Sequence, residues 1–254
     1  MLISLSSLVA IGFLYQPRFG HIWDPSCFAA ANGTFFCVFM HSDHYSNYYT
    51  SGFLAASDDG ARWRDVGKIA PSEPYKQWWK GFVLQIENDP PLFVMNHGVY
   101  EHHDNDALRI LTSSNLTTWT ERATSRPGAT WYHAEGRWDH MYMAKDDASG
   151  GFIGYAVSSP LRSTQFAATW PAIQRSTDGI HWTAGAPLNV SWHGVSPQSI
   201  EEGGFERMEV PGSSGQSMFF LIGGGGPSRA NMSVRRLPAA RTPCLRPCAA
   251  HALL

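Results

Sequence analysis

Three short segments recur along the chain: Ser57-Asp58-Asp59-Gly60-Ala61-Arg62-Trp63, Ser114-Asn115-Leu116-Thr117-Thr118-Trp119 and Ser176-Thr177-Asp178-Gly179-Ile180-His181-Trp182. Each joins a serine and a turn-forming Asp or Asn to a tryptophan three residues past a Gly or Leu. An Asp or Asn side chain accepts the backbone N–H two residues on, and glycine takes positive φ without steric cost. Each segment therefore predicts a tight turn whose tryptophan opens the next strand and packs down on it. The turn tryptophans are 56 and 63 residues apart.

A second marker keeps nearly the same period. The apolar runs FFCVFMH (35–41), PLFVMNH (91–97), HMYMAKDD (140–147) and MFFLIGG (218–224) read as strands. Each follows a lead-in: Trp23-Asp24-Pro25, Trp79-Lys80-Gly81, Trp131-Tyr132-His133 and Glu202-Gly203-Gly204-Phe205. The lead-in tryptophans are 56 and 52 residues apart. A unit of about fifty to sixty residues with four short strands predicts an all-β chain folded as a β-propeller. No stretch of useful length has helical period, and the alternative is a β-sandwich. Blades pack face to face around an axis, so the heads of their inner strands converge on a central opening. That places Asp24, a carboxylate at the head of an apolar strand, at the opening.

Composition agrees. Aromatics make up 13% and charged residues 16% of the 254 residues, with 24 glycines and 16 prolines to make turns. All-β folds often use this length as one domain. The net charge of −2 supplies no basic field for a phosphate backbone, which argues against nucleic acid as a partner. Residues 1–14 form an apolar segment, too short to span a bilayer and without a positive leading region; it reads as a first strand or a weak signal. The propeller is expected over 15–237, and 238–254 is an atypical Pro-, Arg- and Cys-rich tail. Sequons at Asn32, Asn115, Asn189 and Asn231 favour secretion over a cytoplasmic location. Cys27 and Cys37 flank one strand–turn–strand unit, and the preferred reading is two small buried hydrophobes rather than a bridge. Cys244-x3-Cys248 lacks partner ligands for a metal.

The W-D-P-S run at 23–26, the S-x-D-G-x-x-W and S-x-N-L-x-x-W turns, and Ile200-Glu201-Glu202-Gly203-Gly204-Phe205 ahead of MFFLIGGGG together resemble the five-bladed propeller glycosidases, families 43, 32, 68, 62, 117, 130 and relatives. The approach Tyr15-Gln16-Pro17-Arg18-Phe19-Gly20-His21 is similar to that before the D-P motif of family 32. The resemblance covers about residues 15 to 235. It implies that Asp24 is the base or nucleophile and Glu202 the general acid, with Glu201 and Glu206 as rivals for the acid. The family's third carboxylate, an aspartate of a third-blade D-P, has no counterpart in Trp131-Tyr132-His133-Ala134-Glu135. Its role would pass to His133, Glu135, Asp146 or Asp147, or be lost. Four lead-ins leave a fifth blade missing, or only begun at Asn231-Met232-Ser233-Val234, so the chain reads as a truncated relative.

Two carboxyl groups suit glycoside cleavage, in which one protonates the leaving oxygen while the other attacks the anomeric carbon or activates water. Trp23, Trp79 and Trp131 are candidate platforms for sugar rings, and His97 and His133 candidate hydrogen-bonders. Trp78 and Trp79 cannot share one face of a strand, so one of the two is the platform. His41-Ser42-Asp43-His44 and Glu101-His102-His103-Asp104-Asn105-Asp106 read as solvated loops. Gly223–Gly226 lacks the Lys-Ser/Thr of a phosphate loop. No cofactor is expected; some family 43 members hold a central calcium, but this chain carries no fixed signature for it. The expected function is hydrolysis of furanoside or pentose-containing oligo- or polysaccharides. The rival is a non-catalytic carbohydrate-binding propeller. A sialidase-type propeller ranks lower, since its S-x-D-x-G-x-x-W box is one residue longer and Arg62, Arg109 and Arg137 lack the context of an arginine triad. The sequence leaves oligomeric state open.

Overall fold

The structure is a computed structural model that describes residues 15–44, 49–70, 77–101, 104–125, 137–147, 149–159, 172–187, 201–209, 217–224 and 233–238. These form antiparallel sheets that each follow chain order, with no helix among them. The first sheet holds β1 (His21–Ala29), β2 (Phe35–Ser42), β3 (Ser51–Ser57) and β4 (Arg64–Ile69). The second holds β5 (Gln77–Asn88), β6 (Pro91–Glu101), β7 (Asp104–Ser113) and β8 (Thr120–Ser125). The third holds β9 (Arg137–Asp146), β10 (Gly151–Ser159), β11 (Ala172–Ser176) and β12 (Thr183–Pro187). The fourth holds β13 (Glu201–Glu209), β14 (Ser217–Gly224) and β15 (Ser233–Pro238). The first strand of each sheet borders the first strand of the next, β1 on β5, β5 on β9 and β9 on β13. This is a β-propeller with four blades among the described residues.

The recurring turns work as the sequence predicts. Ser57 Oγ accepts the N–H of Asp59 and Gly60, while Asp59 Oδ1 accepts those of Ala61 and Arg62. Ser113 with Asn115, and Ser176 with Asp178, repeat the pattern. The capping serine of the second turn is thus Ser113, not Ser114. Leu116 takes φ 65° where the other turns use Gly60 and Gly179; it keeps that strained conformation because its side chain is buried between the first two blades.

The second strands of the first two blades are covered on both faces, which is why they read as continuous apolar runs. On β2, Val38 and Met40 face the second blade and meet Trp78, Val83, Phe93 and Met95. Alternate residues Cys37 and Phe39 face the other way and pack with Phe53, Tyr15 and Trp63. Val94, Leu108 and Ile110 of the second blade meet Met141, Met143 and Trp182 of the third.

Three sequence expectations need correction. HMYMAKDD lies on β9, the inner strand of the third blade, and the second strand is β10; the Asp146–Gly150 turn separates them. Trp131, Tyr132 and His133 lie outside the described residues. Ser233 and Val234 belong to the third strand of the fourth blade rather than to a fifth. Cys27 and Cys37 are directly paired across β1 and β2, Cα to Cα 4.0 Å, and form a disulfide. Closing a loop of this size stabilises by about 2–3 kcal/mol. The Cys27→Ser/Cys37→Ser variant is expected to lose that much in urea unfolding. In peptide mass mapping both cysteines should escape alkylation until reductant is added.

Candidate functional site

The inner strand of every blade carries one residue more than its neighbour pairs. In the first, Trp23 pairs with Met40 and Ser26 with Val38, so Asp24 and Pro25 together oppose Phe39. In the second, Trp78 pairs with Val99 and Gly81 with His97, so Trp79 and Lys80 oppose Gly98. In the third, Trp138 pairs with Ser158 and Met141 with Ala156, so Asp139 and His140 oppose Val157. In the fourth, Glu201 pairs with Gly224, and Glu202 and Gly203 stand against Gly223 before Gly204 meets Ile222. Such bulges bend a strand and re-aim side chains. The first bulge residue is thus Asp24, Trp79, Asp139 and Glu202 in turn. The residues before the first three bulges are tryptophans, 55 and 60 residues apart.

β1, β5 and β9 run in the same direction, so their bulges lie at one end. Ala31 N–H donates to the Gln85 side chain at 2.8 Å and Phe28 meets Phe93, the partner of Gln85, at the far end of β1 and β5. At the near end Trp78 packs on Gly52, whose partner Met40 pairs with Trp23. Between β5 and β9, Phe82 meets Tyr142 edge-on at 5.2 Å, and further along both strands Ile86 and Phe152 flank Gly179.

Three arrangements fix this end. Asn96, fully buried on β6, grips the backbone of Met141: its Nδ2 donates to the carbonyl at 2.7 Å and its Oδ1 accepts the N–H at 2.6 Å. Met141 is the first residue after the third bulge, so this clamp holds the register of that bulge. Trp78 lies flat between Gly52 and Gly81, where a Cβ would meet its ring at 2.9 and 2.6 Å. Asp24 itself has φ 47°, a left-handed conformation that Asp tolerates better than most residues. Trp23 beside it is 62% exposed. Lys80 reaches toward the third blade, its ammonium 5.8 Å from the Tyr142 ring centroid.

Two expected site residues take other parts. Asp146 is the last residue of β9, at the far end from the bulges; its carboxylate accepts from Ser149 and from Arg175 at 3.0 Å and closes the hairpin. His97 is buried, stacked on Trp78 at 5.0 Å, with Nδ1 bonded to the Gly98 carbonyl; it supports the tryptophan from beneath. Burial, reinforced by Arg109, lowers its pKa to about 4. Trp79, Glu201 and Glu202 are placed by their strands, and Trp131 and His133 lie outside the described residues. His41 and Ser42 belong to β2 and are buried, not in a solvated loop; His41 bonds the Phe19 carbonyl and Ser51. The residue that sequence reasoning missed is Asp139. Its signal was the repeated Trp-Asp pair, at 23–24 and again at 138–139. No three His, Cys, Asp or Glu side chains gather as a metal site among the described residues, and no helix there is long and apolar enough to cross a membrane.

The sequence matches no protein-family model and no curated protein. Solved structures with the same fold exist. A β-fructofuranosidase from Schwanniomyces occidentalis, complexed with fructosyl-erythritol, superposes with TM-score 0.65 at 12% identity, over 87% of this chain and 48% of that one. An exo-β-1,3-galactanase from Phanerochaete chrysosporium, with galactose, gives 0.56 at 13% identity, over 80% and 44%. An N-acetylgalactosamine deacetylase from F. plautii, in complex with blood group B trisaccharide, gives 0.58 at 16% identity, over 87% and 68%. The chain has the fold of the β-propeller glycoside hydrolases and spans about half the length of the fructofuranosidase.

Two outcomes are expected. Asn96→Leu strands two buried backbone groups, and should cost about 2–4 kcal/mol in denaturant titration. His97 is neutral when folded below its ordinary pKa, so its contribution is full above pH 6.5 and lost as pH falls toward 4. Urea unfolding at pH 5 should give about 2 kcal/mol less stability than at pH 7 from this group, and His97→Phe should remove that part of the difference.

Proposed function

We propose that this chain is a glycosidase-type propeller that hydrolyses O-glycosidic bonds of furanoside or pentose-containing glycans. Asp24 serves as base or nucleophile, Glu202 as general acid, and Asp139 as the third carboxylate that steadies charge at the reacting carbon. The observation that carries this reading is the shared bulge register, in which three of four inner strands offer a carboxylate at one equivalent position. Glu202 protonates the leaving oxygen, Asp24 attacks the anomeric carbon or takes a proton from water, and one water is consumed per bond cleaved. Exposed Trp23 supplies a stacking surface for the sugar ring. The low charge of the chain suits a neutral polyol substrate.

The second reading is a propeller that binds saccharides without cleaving glycosidic bonds. It is favoured by the deacetylase likeness, since one fold carries several chemistries. The test is sugar release from aryl furanosides, aryl pentosides, fructans and mannosides by wild type, Asp24→Asn, Asp139→Asn and Glu202→Gln. Asn keeps the left-handed tolerance of Asp at position 24, so the first variant should fold. Each variant is expected to retain its circular dichroism and lose at least about a hundredfold in kcat. A folded wild type that cleaves none of the panel would leave the binding reading.

A further inference from the structure

The first blade's turn tryptophan behaves differently from its counterparts. The Trp119 indole N–H donates to the Leu116 carbonyl at 2.9 Å, and that of Trp182 to the Gly179 carbonyl at 3.0 Å. The indole nitrogen of Trp63 is buried with no hydrogen-bond partner. Trp63 packs on the face of its blade turned away from the second blade, against Cys37, Phe39 and Tyr15. The segment following Tyr15 crosses that face. Tyr15 O–H and the Arg18 backbone N–H each donate to one oxygen of the Asp65 carboxylate.

A cavity of about 430 Å³ opens there, lined by Gln16, Arg18, Trp63, Arg64 and Asp65 with Tyr15. Its volume falls in the usual range for small-molecule sites. Asp65 already accepts on both oxygens. Arg18 and Arg64 are exposed and form no ion pair among the described residues. The wall thus presents two guanidinium groups, with one carboxylate already engaged. That set offers donors and one net positive charge, and guanidinium forks match carboxylates in two-point contact. Arg64 and Asp65 lie on β4, the outermost strand, whereas Asp24 lies on β1, the innermost. Three strand spacings of about 4.8 Å separate the two.

We propose that this cavity is a second saccharide site, apart from the central opening, that takes an acidic sugar through its carboxylate. Arg18 and Arg64 hold the carboxylate, and Gln16 reaches ring hydroxyls. The inference stands whether or not the central site hydrolyses glycosides.

The test is calorimetric titration of the full chain with D-glucuronate, D-galacturonate, methyl glucoside and sodium sulfate at one ionic strength. Saturable binding of a uronate is expected, with methyl glucoside and sulfate at least about tenfold weaker. Arg18→Gln/Arg64→Gln, both at exposed positions, should weaken uronate binding by about tenfold or more. Asp24→Asn should leave this binding unchanged, and the arginine variants should leave any glycan hydrolysis unchanged. Absence of uronate binding, sulfate binding as tightly as uronate, or a folded double arginine variant binding like wild type would each overturn the proposal.

Discussion

One extra residue in each inner strand governs how this propeller presents chemistry. A regular strand alternates its side chains strictly, and a fully paired inner strand would continue that alternation to its end. The bulge breaks the alternation near the start of each inner strand, and β5 shifts a second time between Gln85 and Glu87. In the first blade it puts Asp24 at φ 47° next to an exposed tryptophan. Because β1, β5 and β9 run the same way, their breaks fall at one end. An aspartate, a tryptophan, a second aspartate and a glutamate thus hold the bulge positions of the inner strands, far apart in sequence.

Buried polar groups secure that end. Asn96 satisfies both backbone groups of Met141 through its Nδ2 and Oδ1. His97 and Trp78 stack in the core directly behind the second bulge, and two glycines make room for the indole. The opposite end of the third inner strand is closed by ordinary ion pairing between Asp146 and Arg175. At that hairpin end the Asp146 carboxylate finds both a cationic and a hydroxyl partner.

Much of the fold was legible because the turns have a local mechanism. A serine, an Asp or Asn and a left-handed residue make the same bonds wherever they occur, so their spacing marks the blades. The lead-ins were harder. A tryptophan alone aligns Trp131 as readily as Trp138, and only strand pairing shows that HMYMAKDD is an inner strand. With the blade shifted by one strand, Asp139 passed unnoticed and Asp146 took its place. Strand pairing also decided Cys27 and Cys37, since their register depends on the bulge between them and the head of β1. His97 looked available in sequence because nothing local reveals that an indole from the facing strand covers it.

The central claim is that Asp24 and Glu202 face each other across the opening. The direct measurement is the distance between their carboxyl groups in a crystal structure of the protein with a furanose or pentose ligand bound. The account predicts a separation of about 5–9.5 Å, the lower end indicating retention and the upper end inversion, with the sugar between them and the Asp139 carboxylate on the same side. Carboxyl groups well beyond that range, or a sugar bound away from the bulges, would contradict it.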